Sequence, residues 1–476
     1  MINDFLNIFL PQGCLIIFIL SQLILGMIAT PRFYKFSRFL SLIGITLSIV
    51  LLPTVQTEPQ YFGFNNSVMS DSYTLLFHFM ILLCGFFVTL LTKRLVKTFK
   101  QSSYTFYALL LAAILGAMNI VSANDFITLL ISVELMAFPV YFLIASAKGY
   151  HSKEASFKYL ITSAVSTAVF LFGVSYLYGI TSSLNFSTIY ETIAEGEPSL
   201  IYSFACIMII LGLISKLAVF PFANWIIDVY KGTETSILAF LSTVPKLAMF
   251  GIVCRLIVFP FSLSLELPFI IAIISVITAI WANTFAIREK DVKVIFACSA
   301  SANASYVLLV ATLVSVYNLS TVIFYLICYV IMNISVFAFL NITEYENIGF
   351  KVANFKGLFH KNRRLTFAYI ISVIGLAGFP VTSGFVAKIY LFSAIVNSGL
   401  VFLPFLLALL ILMVIALYYY LKIIIPLFDK DIYSTKMLNI NFSQKFVLII
   451  TAAITVLLGM FPDEVIEICR FVAYNI

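Results

Sequence analysis

Long apolar runs punctuate this chain, and their length limits what it can fold into. A bilayer core needs about 20 consecutive apolar residues per helix. Runs of that order recur near 10–29, 36–54, 72–92, 104–122, 125–147, 155–180, 200–227, 235–259, 267–287, 291–314, 319–341, 366–397, 401–428 and 443–461. None alternates polar with apolar residues over ten-residue stretches, as the strands of a membrane barrel do. The reading is an all-α polytopic membrane protein of about fourteen transmembrane helices. Composition closes the soluble alternative: 62% of the 476 residues are hydrophobic and 10% are charged, against about 25% charged in an ordinary soluble domain. So few charges cannot cover a water-facing surface for a chain of this length. A water-soluble enzyme is excluded, and so is a nucleic-acid binder, despite the net charge of +7.

Cofactor chemistry finds little to work with. Cys14, Cys84, Cys206, Cys254, Cys298, Cys328 and Cys469 stand singly within apolar runs. They lack the CxxC or His-flanked spacing of zinc, iron–sulfur or haem sites and read as small buried apolar residues. His78, His151 and His360 lie far apart in the sequence. No metal site, no cofactor bound by this chain and no catalytic residue are expected: a nucleophile–His–acid set, a phosphate loop and a dinucleotide fingerprint are all missing. The first apolar run is too long for a signal peptide and lacks a small-residue cleavage site, so it reads as a retained span.

Loop charge sets the orientation. Loops after odd-numbered spans hold Arg32, Lys35 and Arg38, then Lys93, Arg94, Lys97 and Lys100, and later Lys351, Lys356, Lys361, Arg363 and Arg364. The termini and even-numbered loops are net negative, with Glu58, Asp71, Glu191, Glu195, Glu197, Asp463, Glu464 and Glu467. Odd loops are therefore expected in the cytoplasm (the matrix, in an organelle), and both termini on the opposite side.

Two spans carry breaks. Phe220-Pro221 interrupts the seventh, and Gly375-Leu-Ala-Gly-Phe-Pro380 the twelfth. Proline removes a backbone donor and clashes with the preceding turn. In lipid, such a break is tolerated only where freed carbonyls face protein or a water-filled cavity. Interrupted helices at corresponding places in two halves are the pattern of inverted-repeat transporters; a packing kink is the plainer alternative. The repeats are expected near spans 4–8 and 9–13. The chain then divides into a three-helix segment (1–103), two repeats (104–260 and 261–430), and a last helix with its tail (431–476).

Four ionisable residues lie well within apolar stretches, away from their ends: Glu134 in the fifth, Lys216 in the seventh, Lys246 in the eighth and Lys388 in the twelfth. Each costs about 2.5–3.5 kcal/mol at a bilayer centre on insertion scales, which asks for pairing or function. Proton transfer is the chemistry they permit, because burial brings both lysine and glutamate toward neutral pH. Glu134 with Lys216 is the expected charge pair, with a static buried ion pair as the alternative. Lys246, beside Pro245, is expected to face the bundle interior as a central relay. Lys388 is expected about 12 Å beyond the break at Pro380, at 1.5 Å per residue, as an exit-side carrier or a snorkelling anchor.

At these residues the sequence resembles a known family. Ser132-Val-Glu134-Leu-Met-Ala-Phe-Pro-Val-Tyr141, Ser152-Lys-Glu-Ala-Ser-Phe-Lys158-Tyr159, Lys216-Leu-Ala-Val-Phe-Pro-Phe-Ala-Asn-Trp225, Ala239-Phe-Leu-Ser-Thr-Val-Pro245-Lys246 and Gly384-Phe-Val-Ala-Lys388 are similar, in order, to the antiporter-like subunits of respiratory complex I. Within that family the likeness is to the subunit N type of NADH:quinone oxidoreductase. The resemblance implies a proton-translocating subunit without a redox centre, in a hetero-oligomer with other membrane subunits, in a bacterial inner membrane. NADH, flavin, iron–sulfur clusters and quinone would belong to other subunits. Two positions depart from the pattern: Asn224 and Asn303 stand where the family usually has histidine. Asn can hydrogen-bond a water chain but cannot hold a proton; Asn303 with Ser299, Ser301 and Ser305 would order such a chain. A subunit of a multisubunit cation/proton antiporter, and a structural subunit that has lost transport, stay open as alternatives.

Overall fold

The computed structural model describes residues 7–28, 34–57, 60–93, 103–147, 149–196, 198–430 and 441–475. Arg32, Glu58, Arg94, Lys97, Lys100 and Glu197, used above for orientation, lie outside the described residues. Among the described residues, thirteen helices are long and apolar enough to cross a membrane. The chain runs through α1 (Leu10–Ile28), α2 (Tyr34–Leu51), a hairpin of β1 (Tyr61–Gly63) and β2 (Val68–Ser70), then α3 (Ser72–Leu91), α4 (Ser103–Ser122), α5 (Phe126–Ala145) and α6 (Tyr150–Thr181). There follow α7 (Phe186–Ala194), α8 (Leu200–Ile214), α9 (Trp225–Gly232), α10 (Thr235–Leu241), α11 (Val244–Val258), α12 (Leu267–Arg288), α13 (Val292–Ala311) and α14 (Val316–Tyr345). After these come α15 (Arg363–Ala377), α16 (Ser383–Asn397), α17 (Leu403–Ile424), α18 (Phe442–Met460) and α19 (Asp463–Tyr474). The twelfth apolar run is the pair α15 and α16, each 15 residues and too short to span by itself. With it, the thirteen long helices account for the fourteen runs.

Helix starts follow local chemistry. Side-chain oxygens at N-cap positions satisfy the first free amides of a helix. Asp71, Asp125, Asn185, Ser199, Asp291 and Ser315 do this for α3, α5, α7, α8, α13 and α14. In lipid these caps sit where the chain turns between apolar runs.

Two compact units divide the chain. The first comprises Met1–Lys216, Thr243–Leu267 and Val472–Ile476; the second comprises Leu217–Ser242 and Pro268–Phe471. The partition differs from the expected boundaries at 103, 260 and 430, because Leu217–Ser242 belongs with the later residues: α9 packs on α13, and α10 on α14. In the first unit α5 packs on α4 and α6, α6 on α8, and α11 on α3 and α4. In the second, α14 is central, packed by α15, α16 and α18.

Asp71, counted above among the loop acids, lies between β2 and α3 as expected, but it is 1% exposed and inside the first unit. Arg255 on α11, not singled out above, reaches it with Nη1 at 2.9 Å and Nη2 at 3.0 Å. Nη2 also donates to Thr74 Oγ1 at 3.0 Å, and the guanidinium lies 5.2 Å from the Tyr73 ring centre. Bidentate pairing of this kind fixes geometry as well as charge, and here it ties the start of α3 to the end of α11.

Candidate functional site

In the first unit, the packing of α5, α6 and α8 brings two of the marked charges, Glu134 and Lys216, near each other. Glu134 lies midway along α5, and its Oε1 accepts a 2.8 Å bond from Thr167 Oγ1 of α6. Lys216 follows α8 in a single turn of 3-10 helix, Ser215–Leu217. Its ammonium donates to Ser163 of α6 and stands 5.6 Å from the Tyr159 ring centre. Helix α8 can come this close because position 212 has no side chain: a Cβ on Gly212 would sit 2.8 Å from both Phe170 N and Ser166 O. The approach leaves a small cavity of about 10 Å³ lined by Thr167, Ser166 and Lys216 among others, room for about one water. Glu134 and Lys216 are within electrostatic reach of each other, and hydroxyls stand beside both groups. A carboxylate, a hydroxyl, space for one water and an amine in series can pass a proton without moving the backbone.

The break after Lys216 is a real interruption of the helix. Ala218 has φ +58°, the chain turns through Phe222 N to Val219 O at 2.9 Å, and α9 starts at Trp225. Beyond Pro221 the freed chain carries Asn224 at an exposed position with no side-chain capping bond. Among the second unit's own contacts, the amide of Phe220 donates to Thr278 Oγ1 at 3.0 Å, which satisfies one donor the break sets free.

Lys246 is 3% exposed, on a span whose apolar window is wholly buried. It is the third residue of α11, directly after Pro245, and belongs to the first unit.

The second unit holds a polar chain on α13. Ser299 Oγ is 2.5 Å from Tyr420 OH of α17. Asn303 Nδ2 donates to Ser299 O at 2.9 Å and lies 3.4 Å from the same tyrosine oxygen. Its Oδ1 accepts from Tyr325 OH of α14 at 2.7 Å, and the Tyr325 ring stacks with Tyr329, centres 6.4 Å apart. Of the expected hydroxyls, Ser299 joins the chain. Ser305 donates to Ala302 O of its own helix, and Ser301 Oγ is buried without a hydrogen-bond partner. Tyr325 and Tyr420 were not anticipated. Nothing in one sequence separates them from the other 23 tyrosines among the 25 present.

Lys388 lies on α16 but reaches back across the break. Its ammonium donates to Leu376 O at 2.8 Å and Ala377 O at 3.0 Å. These are the last carbonyls of α15, which have no intrahelical donor, and the negative end of the helix dipole favours a cation there. The amine therefore sits at the break itself and not 12 Å beyond it. Gly378 makes the geometry possible: with φ +87° it closes α15, and a Cβ there would lie 2.9 Å from Lys388 Cδ. The break at Pro380 continues through Val381 at φ +73°.

The model of the NADH:quinone oxidoreductase/Mrp antiporter transmembrane family matches residues 123–416. The chain belongs to this family. The match takes in Glu134, Lys216, Lys246 and Lys388 and both breaks. A NADH-quinone oxidoreductase subunit N of Anoxybacillus flavithermus is 34% identical over 438 residues, covering 88% of this chain and 87% of that one. A chain of Thermus thermophilus respiratory complex I shares the fold with TM-score 0.81 at 25% identity, covering 96% of this chain and 98% of that one. A chain of the Mrp complex from Dietzia sp. DQ12-45-1b has TM-score 0.85 at 18% identity, covering 98% and 97%; at that identity the likeness is one of fold.

Proposed function

We propose that this chain is the subunit N type membrane subunit of an NADH:quinone oxidoreductase and moves protons through buried Glu and Lys residues. It is an antiporter-like membrane subunit by family and by relatives. The observation that carries the transport reading is the first-unit cluster, in which Thr167 binds Glu134 and lines the same cavity as Lys216. A buried lysine serving only to anchor a helix has no need of a carboxylate, a hydroxyl and room for water beside it. In this reading Glu134 and Lys216 exchange a proton, Lys246 relays it, the Ser299–Tyr420–Asn303–Tyr325 chain conducts within the second unit, and Lys388 releases it. Tyrosine hydroxyls take over conduction where Asn303 replaces a titrating group, since each both donates and accepts.

The subunit works in a hetero-oligomer with other membrane subunits, and both termini face the non-cytoplasmic side of a bacterial inner membrane. NADH, flavin, iron–sulfur clusters and quinone are held elsewhere in the complex. The test is the intact complex in liposomes carrying Lys216→Met. The expected result is an assembled complex whose NADH-driven acidification falls several-fold. Unchanged acidification would favour a structural subunit that has lost transport. Cation-driven proton exchange without NADH would favour the antiporter.

A further inference from the structure

A second group of titratable side chains lies in the second unit, away from the residues above. Lys293, at the start of α13, is buried, and its ammonium contacts Glu344 Oε1 of α14 at 3.0 Å. It also donates to Thr233 O at 2.9 Å and lies 3.9 Å from the Phe350 ring centre. Glu344 Oε2 takes the amide of Thr235 at 3.0 Å and the Thr235 hydroxyl as well. Behind that hydroxyl a relay of donors is lined up: Gln444 of α18 donates to Asn341 at 2.6 Å, and Asn341 to Thr235 at 3.1 Å. The ammonium, the amide and the hydroxyl all converge on Glu344.

Glu234 is the residue between. The residue before it binds Lys293 and the residue after it binds Glu344, so its backbone is held between the two members of that pair, and both charges act on its carboxyl. It is half-buried and sits outside the spanning segment, at the N-cap of α10. Two carboxyls sharing one amine cannot both ionise at ordinary cost. Burial first, and then the Glu344 charge, push the Glu234 carboxyl up to about 7, with Lys293 opposing. Lys293 and Glu344 are the charged groups that bear on it from α13 and α14; α18 contributes the neutral Gln444. Lys293 precedes Asn303 on the same helix by ten residues, about 15 Å at 1.5 Å per residue.

We propose that Glu234 is a proton-binding site on the side of the basic loops, loading the second unit, with the Glu344–Lys293 pair as the fixed charge that sets its affinity. The proposal rests on the transport reading above for what the proton is used for. The proton binds and leaves as such, with no bond made or broken in the chain. The Glu344–Lys293 pair acts on Glu234 and does not itself carry the proton.

The test uses the intact complex, with two measurements made as pH is varied on the basic-loop side: acidification driven by NADH, and the infrared band of protonated carboxyl. Pumping is expected to fall as pH rises through about 7, because occupancy of a raised carboxyl is lost as pH passes its midpoint. Glu234→Gln should remove that limb together with the titrating band. Glu344→Gln frees Lys293 for Glu234 and removes the neighbouring negative charge, so the midpoint should move to lower pH. A band and limb that persist in Glu234→Gln, or a midpoint that stays put in Glu344→Gln, overturn the proposal. Should Glu234→Gln not assemble, Glu234→Asp is read in the same way, with a displaced midpoint expected and an unmoved one overturning it. A wild-type complex that does not pump, yet loses the band in Glu234→Gln, overturns the transport reading and supports the proton site.

Discussion

Asp71→Ala should be among the most damaging single substitutions in the first unit. Asp71 Oδ1 accepts from Thr74 N and Thr74 Oγ1, both at 2.7 Å, and from Arg255 Nη2 at 3.0 Å; Oδ2 accepts from Nη1 at 2.9 Å. Its loss leaves a guanidinium 2% exposed, whose Nε already has no partner. Breaking a buried pair by removing one member costs about 3–5 kcal/mol, and losing an N-cap costs about 1 kcal/mol more. Against a typical total of about 5–15 kcal/mol, that is a large share. Arg255→Met should cost less, because the carboxyl keeps its two bonds from Thr74. Asp71→Leu combined with Arg255→Met should recover most of the loss, since apolar replacement of a whole buried pair is often neutral. The assay is the thermal midpoint at which this subunit leaves the purified complex, measured for both single variants and the double. Equal midpoints for Asp71→Ala and wild type would refute the argument, as would a double variant no more stable than Asp71→Ala.

Thr167→Val keeps the volume near Glu134 and removes its 2.8 Å hydrogen bond. A bond to a charged group is worth about 1.5–3 kcal/mol, so the pumping rate should drop by about tenfold or more while assembly is retained, measured as acidification per NADH oxidised. Gly378→Ala forces a Cβ into the left-handed region, at about 1–2 kcal/mol, and to 2.9 Å from Lys388 Cδ. The expected result is a lowered thermal midpoint, with pumping reduced through the displaced lysine.

Much of the fold was legible because the constraints that shape it are local. A helix in lipid must satisfy its own backbone, so span positions follow from apolar run length and breaks from proline and glycine. The twelfth run shows the limit of that reading. Gly378 and Pro380 located the break, yet the reach of Lys388 back to the carbonyls of Leu376 and Ala377 depends on how α15 and α16 meet. The candidate site was legible only as positions. Lone charges in apolar runs marked Glu134, Lys216, Lys246 and Lys388, all four within the family match. Loop counting placed Asp71 among the loop acids but could not show its pairing with Arg255, and it did not mark Lys293 or Glu344, because charges near the ends of a run look the same whether they face water or a partner.

By itself, then, the sequence determined a membrane-spanning all-α chain, its two interrupted spans and the positions at which a charge would have to be paid for in lipid. Those properties are set within a few turns of helix, where each residue's neighbours are its sequence neighbours. Tertiary structure alone decided which charges meet. Arg255 finds Asp71 across a sequence separation of 184 residues, and Tyr420 joins Asn303 across 117. An ion pair or hydroxyl relay needs atoms within about 3 Å, and that proximity arises only when helices distant in sequence pack side by side.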